Sequence, residues 1–267
     1  MQCQAQTWRR VGTRVVLVPT MGALHAGHCA LIHRARKLAG NGVVVVSIYV
    51  NPAQFNDARD LRSYPRSLAK DKKLCRAEGV DVVFTPKTLY AKNASVFVEE
   101  TDVSCSMEGG SRPGHFRGVA TVVVKLFNLV LPNLGIFGEK DWQQVLLIKR
   151  TARDLNLSAS IVIVPTVRES DGLAVSSRNV CLKDDERRQA TVLWKAIVLA
   201  KNAVRSGSVR GLKQKITLFI EKQPNARVDY VEFFKEQTLK LMKPKRGVRM
   251  ALAVYIGKTR LIDNARI

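Results

Sequence analysis

Apolar residues recur along this chain at two alternating periods. Arg14–Pro19 is a short β-branched run, and beyond the glycine-bearing stretch Thr20–Gly27 the residues Cys29, Leu31, Ile32, Ala35 and Leu38 follow at helical spacing. Val43–Val50 is apolar on both faces, which suits a buried strand of a parallel sheet. The spacing predicts a helix over Tyr64–Gly79, with Leu68, Leu74 and Ala77 toward a core and a basic outer face. Val80–Pro86 is then a strand ended by proline. After a less regular middle the alternation resumes, with a helix over Phe116–Val130, a strand over Leu134–Phe137, a helix over Asp141–Leu155 and a strand over Ile161–Pro165. Repeated strand–helix–strand units imply right-handed crossovers and a mostly parallel sheet. Such sheets take ligands beyond the carboxyl ends of their strands, at a topological switch point.

Past Pro165 the pattern changes. Lys183–Ser206 reads as one long helix, Gly207–Gly211 as a break and Leu212–Lys222 as a second helix. Val228–Lys235 and Val248–Ile256 alternate like antiparallel strands. The expected fold is therefore α/β: a Rossmann-like parallel-sheet nucleotide-binding domain over 1–166, followed by a smaller α+β domain over 167–267.

Composition narrows the class. The 267 residues are 46% hydrophobic and 25% charged, the balance of an ordinary globular protein. No apolar run approaches the length of a membrane span. Met1–Arg10 is polar, without a signal-peptide pattern, so a cytoplasmic address and no membrane partner are expected. The five cysteines are scattered and odd in number, as reduced thiols would be. The formal charge of +22 invites a nucleic-acid reading. Yet the 44 lysines and arginines are spread along the chain, and aromatics make up only 6%. A basic protein acting on anionic substrates, with no specific nucleic-acid partner, accounts for that distribution.

Three segments carry chemistry. Pro19–His28 places His25 and His28 around a glycine, after a strand and at a helix start. That position gathers unpaired N–H groups and the positive end of a helix dipole, suited to phosphate, although a simple cap with two surface histidines would look alike. Arg168–Asn179 offers Ser176, Ser177 and Arg178, whose planar fork pairs two phosphate oxygens; a solvated linker is the plainer reading. Gly138–Gln144 follows a strand, with Lys140 for phosphate and a carboxylate for ribose, or else an N-capping Asp141 and a polar first turn. Together they favour a nucleotide site.

Val18–His28 resembles the signature of the pantothenate synthetases, relatives of the class I aminoacyl-tRNA synthetases and other HIGH-motif nucleotidyltransferases. Val50–Phe55, Tyr64–Arg66, Arg112–Gly118, Gly138–Gln144, Arg168–Asn179 and Arg260–Asn264 match the same family in order, across nearly the whole chain. The resemblance implies ATP-dependent condensation of pantoate with β-alanine through a pantoyl adenylate, releasing AMP and pyrophosphate. It implies that Met21, Gly22, Ala23, Leu24, His25, Ala26, Gly27 and His28 bind ATP, with His28 catalytic beside His25. Gln54 and Gln144 would hold pantoate, Gln54 lying also near β-alanine. Gly138, Glu139, Lys140 and Asp141 would receive the ribose and phosphates. Val167 would meet the adenine through its backbone, and Val175, Ser176, Ser177 and Arg178 would meet the phosphates, Lys140 and Arg178 counting with the catalytic groups. Magnesium would accompany ATP, with Asp71 the carboxylate nearest it, and the chain would form a homodimer.

Two features depart from the family. The helix before the first strand looks shortened, and Leu89–Glu99 lacks the usual Tyr-Pro pair. The rival readings are a cytidylyltransferase, a small synthetase-like protein and a basic nucleic-acid-binding module. Gln54 and Gln144 in matching contexts argue against the first, and the lack of an added tRNA-binding domain against the second.

Overall fold

A computed structural model describes residues 1–267. The chain divides into two compact units, Met1–Glu139 with Gln143–Pro165, and Lys140–Trp142 with Thr166–Ile267. In chain order the first unit carries α1 (Gln2–Arg10), β1 (Val15–Thr20), α2 (Ala26–Ala39), β2 (Val43–Ile48), α3 (Ala58–Ser63), α4 (Leu68–Ala77), β3 (Val82–Phe84), α5 (Glu108–Ser111), α6 (His115–Val130), β4 (Leu134–Gly138), all but the first residue of α7 (Trp142–Asp154) and β5 (Ser160–Val164). The second follows with α8 (Asp184–Ala190), α9 (Val192–Arg205), α10 (Leu212–Glu221), β6 (Ala226–Phe234), β7 (Arg249–Ile256) and β8 (Thr259–Arg266).

The first unit is built on a parallel sheet of order β3-β2-β1-β4-β5. Its central strands are buried on both faces, which is why Val43–Val50 shows no alternation. Val16 and Val18 of β1 and Ile136 of β4 pack with Ile32, Ala35 and Ala39 of α2. Strand geometry turns Gly135 to the opposite face, where a Cβ would come 2.8 Å from the Phe127 ring of α6. The strand order reverses between β1 and β4. The loops leaving those two strands, Met21–His25 and the 3₁₀ turn Glu139–Asp141, are the ones expected to hold nucleotide.

In the second unit, β6, β7 and β8 form an antiparallel sheet. Leu193, Ile197 and Ala200 of α9, with Leu212, Ile216 and Ile220 of α10, recur at helical spacing and pack against Val231, Met250, Leu252 and Val254 of that sheet.

Three elements differ from the pattern reading. The helix expected over Lys183–Ser206 is two helices, Asp184–Ala190 and Val192–Arg205, that meet at Thr191. The helix expected from Tyr64 begins at Leu68. Tyr64 is instead buried edge-on to Phe55, with ring centroids 5.6 Å apart. Strand β8 was not expected as a strand.

Helix α6 starts hard against the turn Pro52–Gln54. A Cβ on Gly118 would lie 2.3 Å from Ala53 O and 2.7 Å from Gln54 N, both backbone atoms that cannot swing aside. Gly118→Ala should therefore destabilise the protein by about 1–3 kcal/mol through overpacking. Urea unfolding measures this, and an unchanged midpoint would show that the turn yields.

Candidate active site

The first group of expected residues lies just past the carboxyl end of β1. Gly22 and Ala23 both take positive φ, +84° and +50°, a conformation that costs a non-glycine residue about 1–3 kcal/mol. Consecutive amides in this geometry converge on an anion. That anion is internal. Asp71 of α4, only 2% exposed, accepts from Ala23 N at 3.0 Å and Leu24 N at 2.8 Å, with Ser67 Oγ at 3.4 Å. The same carboxylate makes glycine necessary at 22, where a Cβ would come 3.0 Å from Asp71 Oδ2 and 3.1 Å from Ile48 Cγ2. Asp71, the carboxylate expected nearest magnesium, is in this structure engaged by the loop through both its oxygens. No group of three or more His, Cys, Asp and Glu residues is placed to hold a metal ion.

The clamped loop delivers His25 to the N-cap of α2 and His28 into its first turn. The rings lie with centroids 4.0 Å apart. His25 N donates to His28 Nδ1 at 3.3 Å, so in the neutral His28 ring the proton sits on Nε2 and that nitrogen is a donor. The structure thus brings together Met21 through His28 as a helix N-terminus with an imidazole donor, an arrangement for stabilising negative charge.

Gln54 joins this group. It is 7% exposed, and its Nε2 lies 3.0 Å from Met21 Sδ, a weak acceptor. Asn51 orients it, giving Nδ2 to Gln54 Oε1 and to Gly118 O, each at 3.0 Å. Tyr90 in turn gives its hydroxyl to Asn51 Oδ1 at 2.9 Å, and burial pushes the Tyr90 phenol up to about 12. Arg112 and His115 both approach the Gln54 carbonyl, at 3.3 Å and 2.8 Å. Pattern reading assigned no part to Asn51, yet a signal was present: an Asn before Pro at a turn start is a cap sequence, and Asn51 Oδ1 accepts from Ala53 N.

Of the two neighbouring glutamines, Gln144 is half-buried, while Gln143 is 6% exposed and fully engaged. Gln143 accepts from Glu108 N at 3.1 Å and donates to Val103 O at 2.7 Å and Ser106 O at 2.8 Å. It fastens the irregular segment Val103–Glu108 to α7, a role the sequence did not signal. Gly138 ends β4, with Glu139 next to it in the first unit.

Lys140 and Asp141 belong to the second unit, as do Val167 and Val175–Arg178. There, Val175 N donates to Val167 O at 3.0 Å, and Glu169 N to Leu173 O at 2.9 Å, closing a short hairpin. Arg168 staples its base. It pairs with Asp263 at 2.7 and 2.8 Å, donates to Gly172 O at 3.0 Å and lies 3.9 Å from the Trp194 ring. At the tip, Arg187 bridges Glu169 and Asp171. Ser176 caps the following 3₁₀ turn by accepting from Arg178 N at 3.3 Å. Asn179 ties that turn to Ala174 O at 3.2 Å. Ser177 and Arg178 thus stand on a loop pinned at both ends.

All five cysteines are free. Cys75, buried in the core beside α2, is pushed up to about 11, first by burial and then by the nearby Asp71 and Cys29.

The family described as pantoate-β-alanine ligase matches residues 1–266 of this chain. A pantothenate synthetase of Geotalea uraniireducens (strain Rf4) is 48% identical over 269 residues, covering 99% of this chain and 95% of the relative. One from Carboxydothermus hydrogenoformans is 49% identical over 265 residues, covering 96% and 92%. Among solved structures, a pantothenate synthetase from Thermus thermophilus has a TM-score of 0.91 and 40% identity, over 98% of this chain and 97% of that one. A pantoate-β-alanine ligase from Francisella tularensis, complexed with beta-gamma ATP and β-alanine, has a TM-score of 0.81 and 37% identity, covering 99% and 95%.

The Asp71 clamp yields a direct test. Asp71→Asn keeps one acceptor but loses the charge that strengthens both hydrogen bonds, so stability should fall by about 1.5–3 kcal/mol. The KM for ATP should rise with it, since Met21–His28 loses its support. A variant with normal melting and normal ATP dependence would show that the loop holds its shape alone.

Proposed function

The chain belongs to the pantoate-β-alanine ligase family and is a ligase of pantoate and β-alanine in pantothenate biosynthesis, and we propose that it works through a pantoyl adenylate. The observation that carries this reading is the clamped Met21–His28 loop, which sets an imidazole donor at a helix N-terminus with Gln54 beside Met21. A carboxylate does not react with an amine until it is activated. One pantoate carboxylate oxygen would attack the α-phosphorus of ATP, breaking the bond to the bridging oxygen and releasing pyrophosphate. The β-alanine amine would then attack the acyl carbon, AMP would depart with the bond electrons, and the nitrogen would lose a proton to solvent.

No protein nucleophile is called for. The residues align and neutralise. His28 Nε2–H would donate to phosphate oxygens as charge builds, His25 fixing its tautomer through the backbone. Lys140 and Arg178 would balance the polyphosphate, with Ser176, Ser177 and Val175 shaping the loop around it. Gly138, Glu139 and Asp141 would meet the ribose. Val167 has its carbonyl taken by Val175, leaving its N–H for the adenine edge. Gln54 and Gln144 would take pantoate, and Gln54 the approach of β-alanine. As neutral amides they bind hydroxyl and carboxylate groups without fixing a cation on the reacting anion. Gln54 is already oriented by Asn51, whereas Gln144 is half-buried on the first turn of α7.

ATP brings magnesium, which keeps several waters and binds chiefly through phosphates with one or two carboxylates. Asp71, which also holds the Ala23 and Leu24 amides, would be the carboxylate of this chain nearest that ion. A homodimer through the first unit and a cytoplasmic location complete the reading. Five free cysteines suit a reducing compartment, and no helix is long and apolar enough to cross a membrane.

Labelled pyrophosphate should exchange into ATP only when pantoate is present, without β-alanine. ADP and phosphate as products would overturn the adenylate. His28→Ala should slow adenylate formation by about 10²–10³-fold, as loss of an oxyanion donor does. ATP binding by calorimetry should change little, because the contact strengthens only in the transition state. Normal adenylate formation in a single-turnover assay would reduce His28 to a helix cap.

A further inference from the structure

The segment Arg260–Asn264 matches the family motif but has no part in the chemistry above. Strand β8 carries it, and Arg260 is spent on Asp229 of β6, at 2.7 Å. Asp263 and Asn264 differ from it. They are 2% and 4% exposed, buried polar residues on a strand that also carries the apolar Leu261. Adjacent strand residues point to opposite faces, and these two hold different pieces of the same unit.

Asp263 receives both arms of Arg168, the residue between Val167 and the hairpin that leads to Val175–Arg178. Asn264 gives Nδ2 to Lys140 O at 2.7 Å. Its Oδ1 accepts from Arg249, which is itself held by Glu236 at 2.6 Å and lies 3.8 Å from the Trp142 ring. Trp142 Nε1 closes the circle on Glu236 O at 3.0 Å. The orientation of Asn264 is thereby forced: a guanidinium only donates, so the amide oxygen must face Arg249 and the amide nitrogen Lys140.

We infer that Asp263 and Asn264 are positioning residues for the nucleotide, setting Lys140 and the Val167–Arg178 loop at a fixed separation from one rigid strand. The inference rests on the reading that those segments hold ATP. Lysine is a flexible point charge whose aim depends on where its backbone is held, and a misplacement of about 1 Å can cost on the order of 100-fold in rate. One strand anchoring both segments keeps them in register where a loop alone would let each drift.

Asn264→Asp tests this. It preserves size and the acceptor for Arg249 but replaces the donor to Lys140 O with a second acceptor. The KM for ATP should rise about tenfold, the equivalent of one lost hydrogen bond, while the KM for pantoate stays put. Combined with Lys140→Ala, it should add almost nothing, because it acts through Lys140. Asn264→Ala, which removes the donor without adding charge, carries the same expectations if the aspartate variant does not fold. An unchanged ATP KM in either variant, with Lys140→Ala still impaired, would overturn the positioning role and leave the ATP reading intact. Normal ATP dependence in Lys140→Ala would overturn the reading of Lys140, and the inference with it. Effects of Asn264→Asp and Lys140→Ala that simply add would also overturn it, marking Asn264 as a fold residue alone.

Discussion

Two backbone amides held by one buried carboxylate set the geometry of the first unit. The chain leaving β1 must turn through two left-handed residues, Gly22 and Ala23, before it can start α2. Left to itself, that turn would relax. Asp71 reaches it from α4 and takes the amides of Ala23 and Leu24, offsetting the cost of the strained alanine. The direction of α2, the spacing of His25 and His28 and the place of Met21 beside Gln54 all follow from that hold.

The second unit solves a similar problem with different means. Its loops are held by charged side chains that reach strands of the sheet: Arg168 pairs with Asp263 of β8, and Arg249 of β7 joins Glu236 to Asn264 of β8. Buried ion pairs of this kind add little to stability relative to apolar packing. Removing one partner, by contrast, strands the other charge and costs about 3–5 kcal/mol. What they supply is a single permitted arrangement.

The sequence made the parallel sheet legible because its strands are β-branched runs of the right length, as Val43–Val50 illustrates against the observed Val43–Ile48. It did not reveal β8, since Asp263 and Asn264 are buried polar residues and break the alternation that announces a strand. Nor did it reveal the joint at Thr191, which contains neither glycine nor proline. In the site, Met21–His28 and Val175–Arg178 were readable as contiguous motifs. Gln143 and Asn51 were not weighed, because what makes them matter is contact with Val103, Ser106 and Gly118, far away in the chain. Asp71 was noticed for its charge, but its hold on the Ala23 and Leu24 amides was not. A carboxylate that binds backbone leaves no complementary residue type in the sequence to betray it.

The three residues Lys140–Trp142 lie within the span of the first unit and are folded into the second. The second unit is therefore not a transferable module in the ordinary sense. A fragment starting at Thr166 would lack the carbonyl that Asn264 meets, the indole N–H that Glu236 accepts and the ring face on which Arg249 rests. Recombination at the Pro165 boundary between two such ligases would bring a foreign version of those three residues with the other half. The two halves of this chain are bound to change together at residues 140–142, although the polypeptide looks divisible elsewhere.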